Sequence, residues 1–133
     1  MNIFERILDL RSESRKKSIF LFGPRQTGKS FLLKKHFPES KYYNLLHADE
    51  FLRLSQRPQR IREEIAELPK TKRTQPVIID EIQKLPILLD EVHAMIEEFG
   101  IIFILTGSSP RKLKRGSANL LGGRARTRHL FPL

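Results

Sequence analysis

Three short apolar runs stand out along the chain because polar residues do not interrupt them: Ser18–Phe22 (SIFLF), Pro76–Asp80 (PVIID) and Ile101–Leu105 (IIFIL). A strand with one face in water alternates apolar and polar positions. Unbroken runs of this length predict strands covered on both faces, as in parallel sheets. Lys41–Leu46 predicts a further strand, and Ala125–Phe131 a last one. The stretches between them have helical period. Ile3, Ile7, Leu8 and Leu10 recur among charges over residues 2–14, which predicts an amphipathic helix. Ser30–Phe37 predicts a helix that ends at Pro38, because the residue before a proline is pushed out of the helical region. Residues 48–67 read as helix in two pieces broken at Pro58, and Thr71–Pro76 as a polar, basic loop. Pro86–Phe99 places Leu88, Leu89, Val92, Met95 and Ile96 on one side of a helix that Gly100 ends. A short basic helix is expected between Leu105 and the last strand.

Strands that alternate with helices predict an α/β layered domain, with a parallel sheet and right-handed crossovers. In such sheets ligands sit at the carboxyl ends of the strands. The residues that follow the strands therefore carry the candidate chemistry.

After the first strand comes Gly23-Pro24-Arg25-Gln26-Thr27-Gly28-Lys29-Ser30, which is G-x-x-x-x-G-K-S, the Walker A pattern. Such a loop curls so that successive backbone N–H groups point at phosphate oxygens. Gly23 and Gly28 permit conformations and close approaches that a side chain would block. Lys29 supplies a point charge for the β- and γ-phosphates, and the Ser30 hydroxyl is placed to ligate Mg²⁺. The helix that follows aims its positive end at the anion. Residues Gly23, Pro24, Arg25, Gln26, Thr27, Gly28, Lys29, Ser30 and Phe31 are the expected nucleotide contacts. The competing reading is a chance glycine-rich turn, against which stand the strand before and the helix after. The role of Arg25 within the loop is open.

The third strand ends in Asp80-Glu81, an apolar strand closed by two carboxylates, which is the Walker B pattern. Asp80 is expected to hold Mg²⁺, usually through water, because that ion dehydrates reluctantly. Glu81 is expected to orient and polarise the water that attacks the γ-phosphate. Alone, this pair reads better as a solvated strand end; the phosphate loop upstream favours chemistry. The next strand ends in Thr106-Gly107-Ser108-Ser109. A hydroxyl there suits holding the attacking water or sensing the γ-phosphate, with Ser108 the first choice and Thr106 the second. An ordinary helix start at Ser109-Pro110 is the alternative.

Bulk properties narrow the setting. Of the 133 residues, 39% are hydrophobic and 30% charged, a globular balance sufficient for one domain. No apolar run approaches the roughly 20 residues of a membrane helix, so no membrane partner is expected. The absence of cysteine excludes disulfides and thiolate metal sites, and a cytoplasmic location fits best. His36, His47, His93 and His129 lack metal-ligand spacing and read as structural or surface residues. The net charge of +10 is uneven: residues 1–75 are +8, residues 76–110 are −5, and residues 111–133 are +7. Arg111, Lys112, Lys114, Arg115, Arg126 and Arg128 form a basic field without acids. Such a field suits nucleic acid, an edge strand blunted against aggregation, or a surface for another domain. No aromatic residue but Phe131 interleaves with it, which weakens a base-stacking platform.

Together FLFGPRQTGKS, VIIDEIQKLP and FILTGSSPRKLKRGSANLLGGR resemble the AAA-type P-loop ATPase domain found at the front of many bacterial and archaeal proteins. The resemblance implies a three-layer core with a five-stranded parallel sheet ordered 5-1-4-3-2, in which the Ser108 strand lies between the two motif strands. It implies ATP and Mg²⁺ as cofactors. It also gives Arg124, after Gly122-Gly123, a role in stabilising phosphate charge within the subunit or across an oligomer interface. In that family a helical lid and a C-terminal domain likened to a restriction-endonuclease fold typically follow the core. Residues 1–133 are expected to be the ATPase core alone, with lid and C-terminal domain absent. Three functions remain in play: ATP hydrolysis driving a conformational switch, nucleotide binding without turnover by the isolated chain, and nucleic-acid binding with an accessory ATP site. An oligomer formed through the surface a lid would cover is a further expected partner.

Overall fold

The computed structural model describes residues 18–23 and 28–108 fully, and 125–129 as backbone. The helix expected at residues 2–14, the basic helix after Ser108 and the residues flanking the last strand lie outside that range. The first strand, β1 (Ser18–Phe22), is buried along its whole length. Helix α1 (Lys29–His36) follows and closes where the Phe37 N–H donates to the Leu33 carbonyl at 2.8 Å. Then come β2 (Tyr42–Asn44), α2 (Ala48–Gln56) and α3 (Arg60–Ala66), the two helices parting around Pro58. A 3-10 turn, Lys72–Thr74, interrupts the basic loop before β3 (Val77–Asp80). Helix α4 (Leu88–Phe99) ends at Gly100, whose φ of 65° lets its N–H reach the Ile96 carbonyl. Strand β4 (Phe103–Gly107) follows, and the backbone of β5 (Ala125–His129) comes last.

All pairings are parallel, and the neighbours run β2-β3-β4-β1-β5. Strand β4 therefore lies between β1, which leads into the glycine loop, and β3, which ends in the acidic pair. The strand alternation sorts the core into two parts. Phe20, Phe22, Tyr43, Val77, Ile79, Phe103 and Leu105 pack with Leu54, Ile61, Ile65, Leu88, Val92 and Met95 of α2, α3 and α4. Ile19, Leu21, Ile78 and Ile104 point the other way and pack with Leu33 of α1 and Phe37. Period two with both sets buried is why the strand runs carry no polar alternation. Among the described residues no helix is long and apolar enough to cross a membrane.

Several element boundaries differ from those expected by one or two residues, and two of the differences have a local cause. Strand β2 stops at Asn44 rather than Leu46 because Asn44 turns the chain: its Oδ1 accepts the Leu46 N–H at 3.0 Å, and its carbonyl accepts the His47 N–H at 3.2 Å. Strand β4 begins at Phe103 and runs to Gly107, two residues later than the apolar run suggests. Its partner β1 sets this, with Leu21 opposite Thr106 and Phe22 opposite Gly107. A polar Thr106 is accepted in the buried strand because its hydroxyl has partners there.

Helix α1 is fastened through the smaller cluster. Ile104→Ala, at a fully buried position of that cluster, is expected to cost about 2–5 kcal/mol in urea unfolding. Phe31→Ala, at a side chain 70% exposed on the same helix, should stay within about 0.5 kcal/mol of the parent.

Candidate functional site

The carboxyl ends of β1, β3 and β4 meet at one edge of the sheet. The N–H of Gly23 donates to the Gly107 carbonyl at 2.9 Å, which pins the first glycine of the loop to the tip of β4. Pro24, Arg25, Gln26 and Thr27 lie outside the described residues. At Gly28 the backbone is left-handed, φ 75° and ψ 16°. A Cβ there would meet nothing within 4 Å, so backbone conformation rather than crowding calls for glycine. The Gly28 carbonyl accepts the Leu32 N–H at 3.0 Å and opens α1.

The first two residues of α1 turn inward. Lys29 is almost wholly buried, and its Nζ lies 3.2 Å from Glu81 Oε1. The Ser30 hydroxyl donates to Asp80 Oδ2. Fifty residues of sequence separate these last two, and the sheet closes the gap.

Asp80 has no exposed surface, and buried carboxylates require donors. Among the described residues it has three hydroxyl donors from three elements: Thr106 of β4 at Oδ1, and Ser30 of α1 and Tyr42 of β2 at Oδ2. Burial, then the hydrogen bond and charge of Asp80, push the Tyr42 phenol well above its ordinary pKa of 10.0. Lys34 Nζ stands 4.8 Å from the centre of the Tyr42 ring.

Glu81 is the one non-glycine residue with positive φ among the described residues, at φ 63° and ψ 51°. That conformation costs an L-residue roughly 1–2 kcal/mol. It turns the chain abruptly off β3 into a 3-10 turn, Ile82–Lys84, and the Glu81 N–H donates to Thr106 Oγ1 at 3.1 Å. With Oε1 against Lys29, Oε2 accepts from Gln83 Nε2. The same Nε2 lies 3.5 Å from the oxygen of Ser108, which is partly exposed just beyond β4.

The fold thus gathers Lys29, Ser30, Asp80 and Glu81 into contact, with Gly23 and Gly28 flanking them and Ser108 joined through Gln83. Phe31 stands mostly in solvent beside them. Arg124 lies outside the described residues. The sequence reading ranked Thr106 second, yet Thr106 touches both Asp80 and Glu81, whereas Ser108 is joined to Glu81 through Gln83. It missed Tyr42 and Gln83. Successive tyrosines must face opposite sides of a strand, which signals that one phenol leaves the main core. Gln83 carries no such signal.

The cluster buries two carboxylates and one ammonium, and the geometry suits a further cation or an anion that engages Lys29. Lys29→Met removes the ammonium facing the buried Glu81 carboxylate, so it should cost about 3–5 kcal/mol in urea unfolding without ligand; adding Glu81→Gln should recover much of that loss. The raised Tyr42 pKa means the folded chain keeps a proton that the unfolded chain releases above pH 10.0. Stability from this group is complete below that pH and is lost as pH rises above it. Urea midpoints measured from pH 9 to 11 should fall less steeply in Tyr42→Phe than in the parent.

A profile of the AAA domain family matches residues 15–133, a span that includes every site residue named above. No curated protein matches the chain. With nine-tenths of its length inside that match, the chain belongs to the AAA domain family and is a nucleotide-binding P-loop domain of α/β fold.

Proposed function

We propose that the domain binds ATP with Mg²⁺ and hydrolyses it to ADP and phosphate. The observation that carries this reading is the Ser30 hydroxyl on the Asp80 carboxylate, with Lys29 and Glu81 in contact beside them. Nucleotide and metal fit the donor set: a lysine, a hydroxyl and two carboxylates converge where the left-handed Gly28 opens a helix. In this reading residues 1–133 form one three-layer P-loop core with a five-stranded sheet ordered 5-1-4-3-2.

The loop that runs from Gly23 to Gly28 would cradle the phosphates with the backbone N–H groups of its non-proline residues, and Lys29 would leave Glu81 to meet the β- and γ-phosphates. Ser30 and Asp80 hold Mg²⁺, which when bound supplies positive charge against the phosphate oxygens. Phe31 offers its exposed ring to the nucleotide. Glu81, freed from Lys29, accepts a proton from water as the water oxygen bonds to the γ-phosphorus and the bond to the ADP oxygen breaks. Ser108 contacts the γ-phosphate, and Arg124 balances phosphate charge within the subunit or across an oligomer interface. The +10 net charge supports a secondary, salt-sensitive association with nucleic acid. A second reading, binding without turnover by this chain alone, draws on the same Lys29–Glu81 contact, which keeps both groups occupied.

Steady-state ATP turnover separates the two. Glu81→Gln should keep ATP binding and lower kcat by about 100-fold or more, while Asp80→Asn should weaken Mg²⁺-dependent nucleotide binding. A parent chain that hydrolyses ATP no faster than Glu81→Gln would support the second reading. A chain that binds no nucleotide would remove both.

A further inference from the structure

Resting on the hydrolytic reading above, we propose that Gln83 is the positioning residue of Glu81 and couples it to the tip of β4. Gln83 is nine-tenths buried at the 3-10 turn after the acidic pair, and its Nε2 donates to Glu81 Oε2. The same nitrogen lies 3.5 Å from Ser108 Oγ. Its other amide atom, Oε1, is buried and has no hydrogen-bond partner among the described residues. An unpaired buried carbonyl costs about 1–3 kcal/mol, so the amide is not oriented for its own satisfaction. Turning it over would set Oε1 against the Glu81 carboxylate, and Glu81 therefore dictates the orientation.

Gly107 makes room for this arrangement. A Cβ at Gly107 would stand 2.8 Å from Gln83 Oε1, closer than real contacts permit. The bare tip of β4 and the Gln83 amide thus fit as a pair. When the phosphates draw Lys29 away from Oε1, Gln83 still holds Oε2. The carboxylate keeps its direction, and Oε1 is the oxygen that accepts the proton of the attacking water. Because Nε2 also reaches toward Ser108, a γ-phosphate that engages Ser108 acts on the same amide that aims Glu81.

The test compares Gln83→Met, which keeps length and packing without the amide, Gly107→Ala, which pushes the amide aside, and the double variant. Binding of a fluorescent ADP analogue with Mg²⁺, its tightening by aluminium fluoride and ATP turnover are read beside thermal melting. Each single variant should bind the ADP analogue within about threefold of the parent, lose about 100-fold in kcat and lose about 10-fold or more of the aluminium fluoride tightening. The double variant should be no worse than the poorer single one. Gln83→Met with parental kcat and tightening would overturn the proposal, as would a loss of ADP affinity and melting temperature that matches the loss of kcat. A parent chain that binds ADP but neither hydrolyses ATP nor tightens with aluminium fluoride would remove the hydrolytic reading, and the proposal with it.

Discussion

The Asp80 carboxylate is the point from which the rest of this site is strung. It is withdrawn from water and carries a charge that interior packing cannot tolerate unaided. Its hydroxyl donors come from α1, β2 and β4, while Asp80 itself closes β3. One side chain thereby ties the first turn of α1, the start of β2 and the carboxyl end of β4 to the end of β3. Parallel pairing sets the strands side by side, but it leaves their ends free to fray. The hydroxyls hold those ends to one place.

The second charge cluster works differently. Lys29 and Glu81 neutralise one another out of water, an arrangement whose Coulomb attraction is largely offset by desolvation. Such a pair is strongly held while intact and gives way when a better-matched anion competes for the lysine. The site therefore combines one carboxylate held by neutral hydroxyls, Asp80, with one held by an ammonium and an amide, Glu81.

Much of this was legible in the chain. The apolar runs at Ser18–Phe22 and Val77–Asp80 identified strands covered on both faces, since burial on two sides erases alternation. The glycine loop and acidic pair pointed to the end of the sheet where Lys29, Ser30, Asp80 and Glu81 come together. Register was less legible. Strand β4 runs on through Thr106 and Gly107 because its neighbour β1 reaches that far, a fact about another segment. Tyr42 was hidden by residue type, since a tyrosine in a short strand ordinarily signals packing. Gln83 was hidden for the opposite reason: a glutamine in a polar turn ordinarily signals exposure, and only the fold shows it buried beside a carboxylate.

The left-handed backbone at Glu81 limits what inheritance can do with that position. Valine, isoleucine and threonine are nearly barred, because branching at Cβ makes this region of conformational space most costly. Glycine, asparagine and aspartate enter it more readily than glutamate does. Replacement by these residues would ease the local chain and shorten or delete the long carboxylate. A lineage that keeps glutamate here keeps it against a conformational slope.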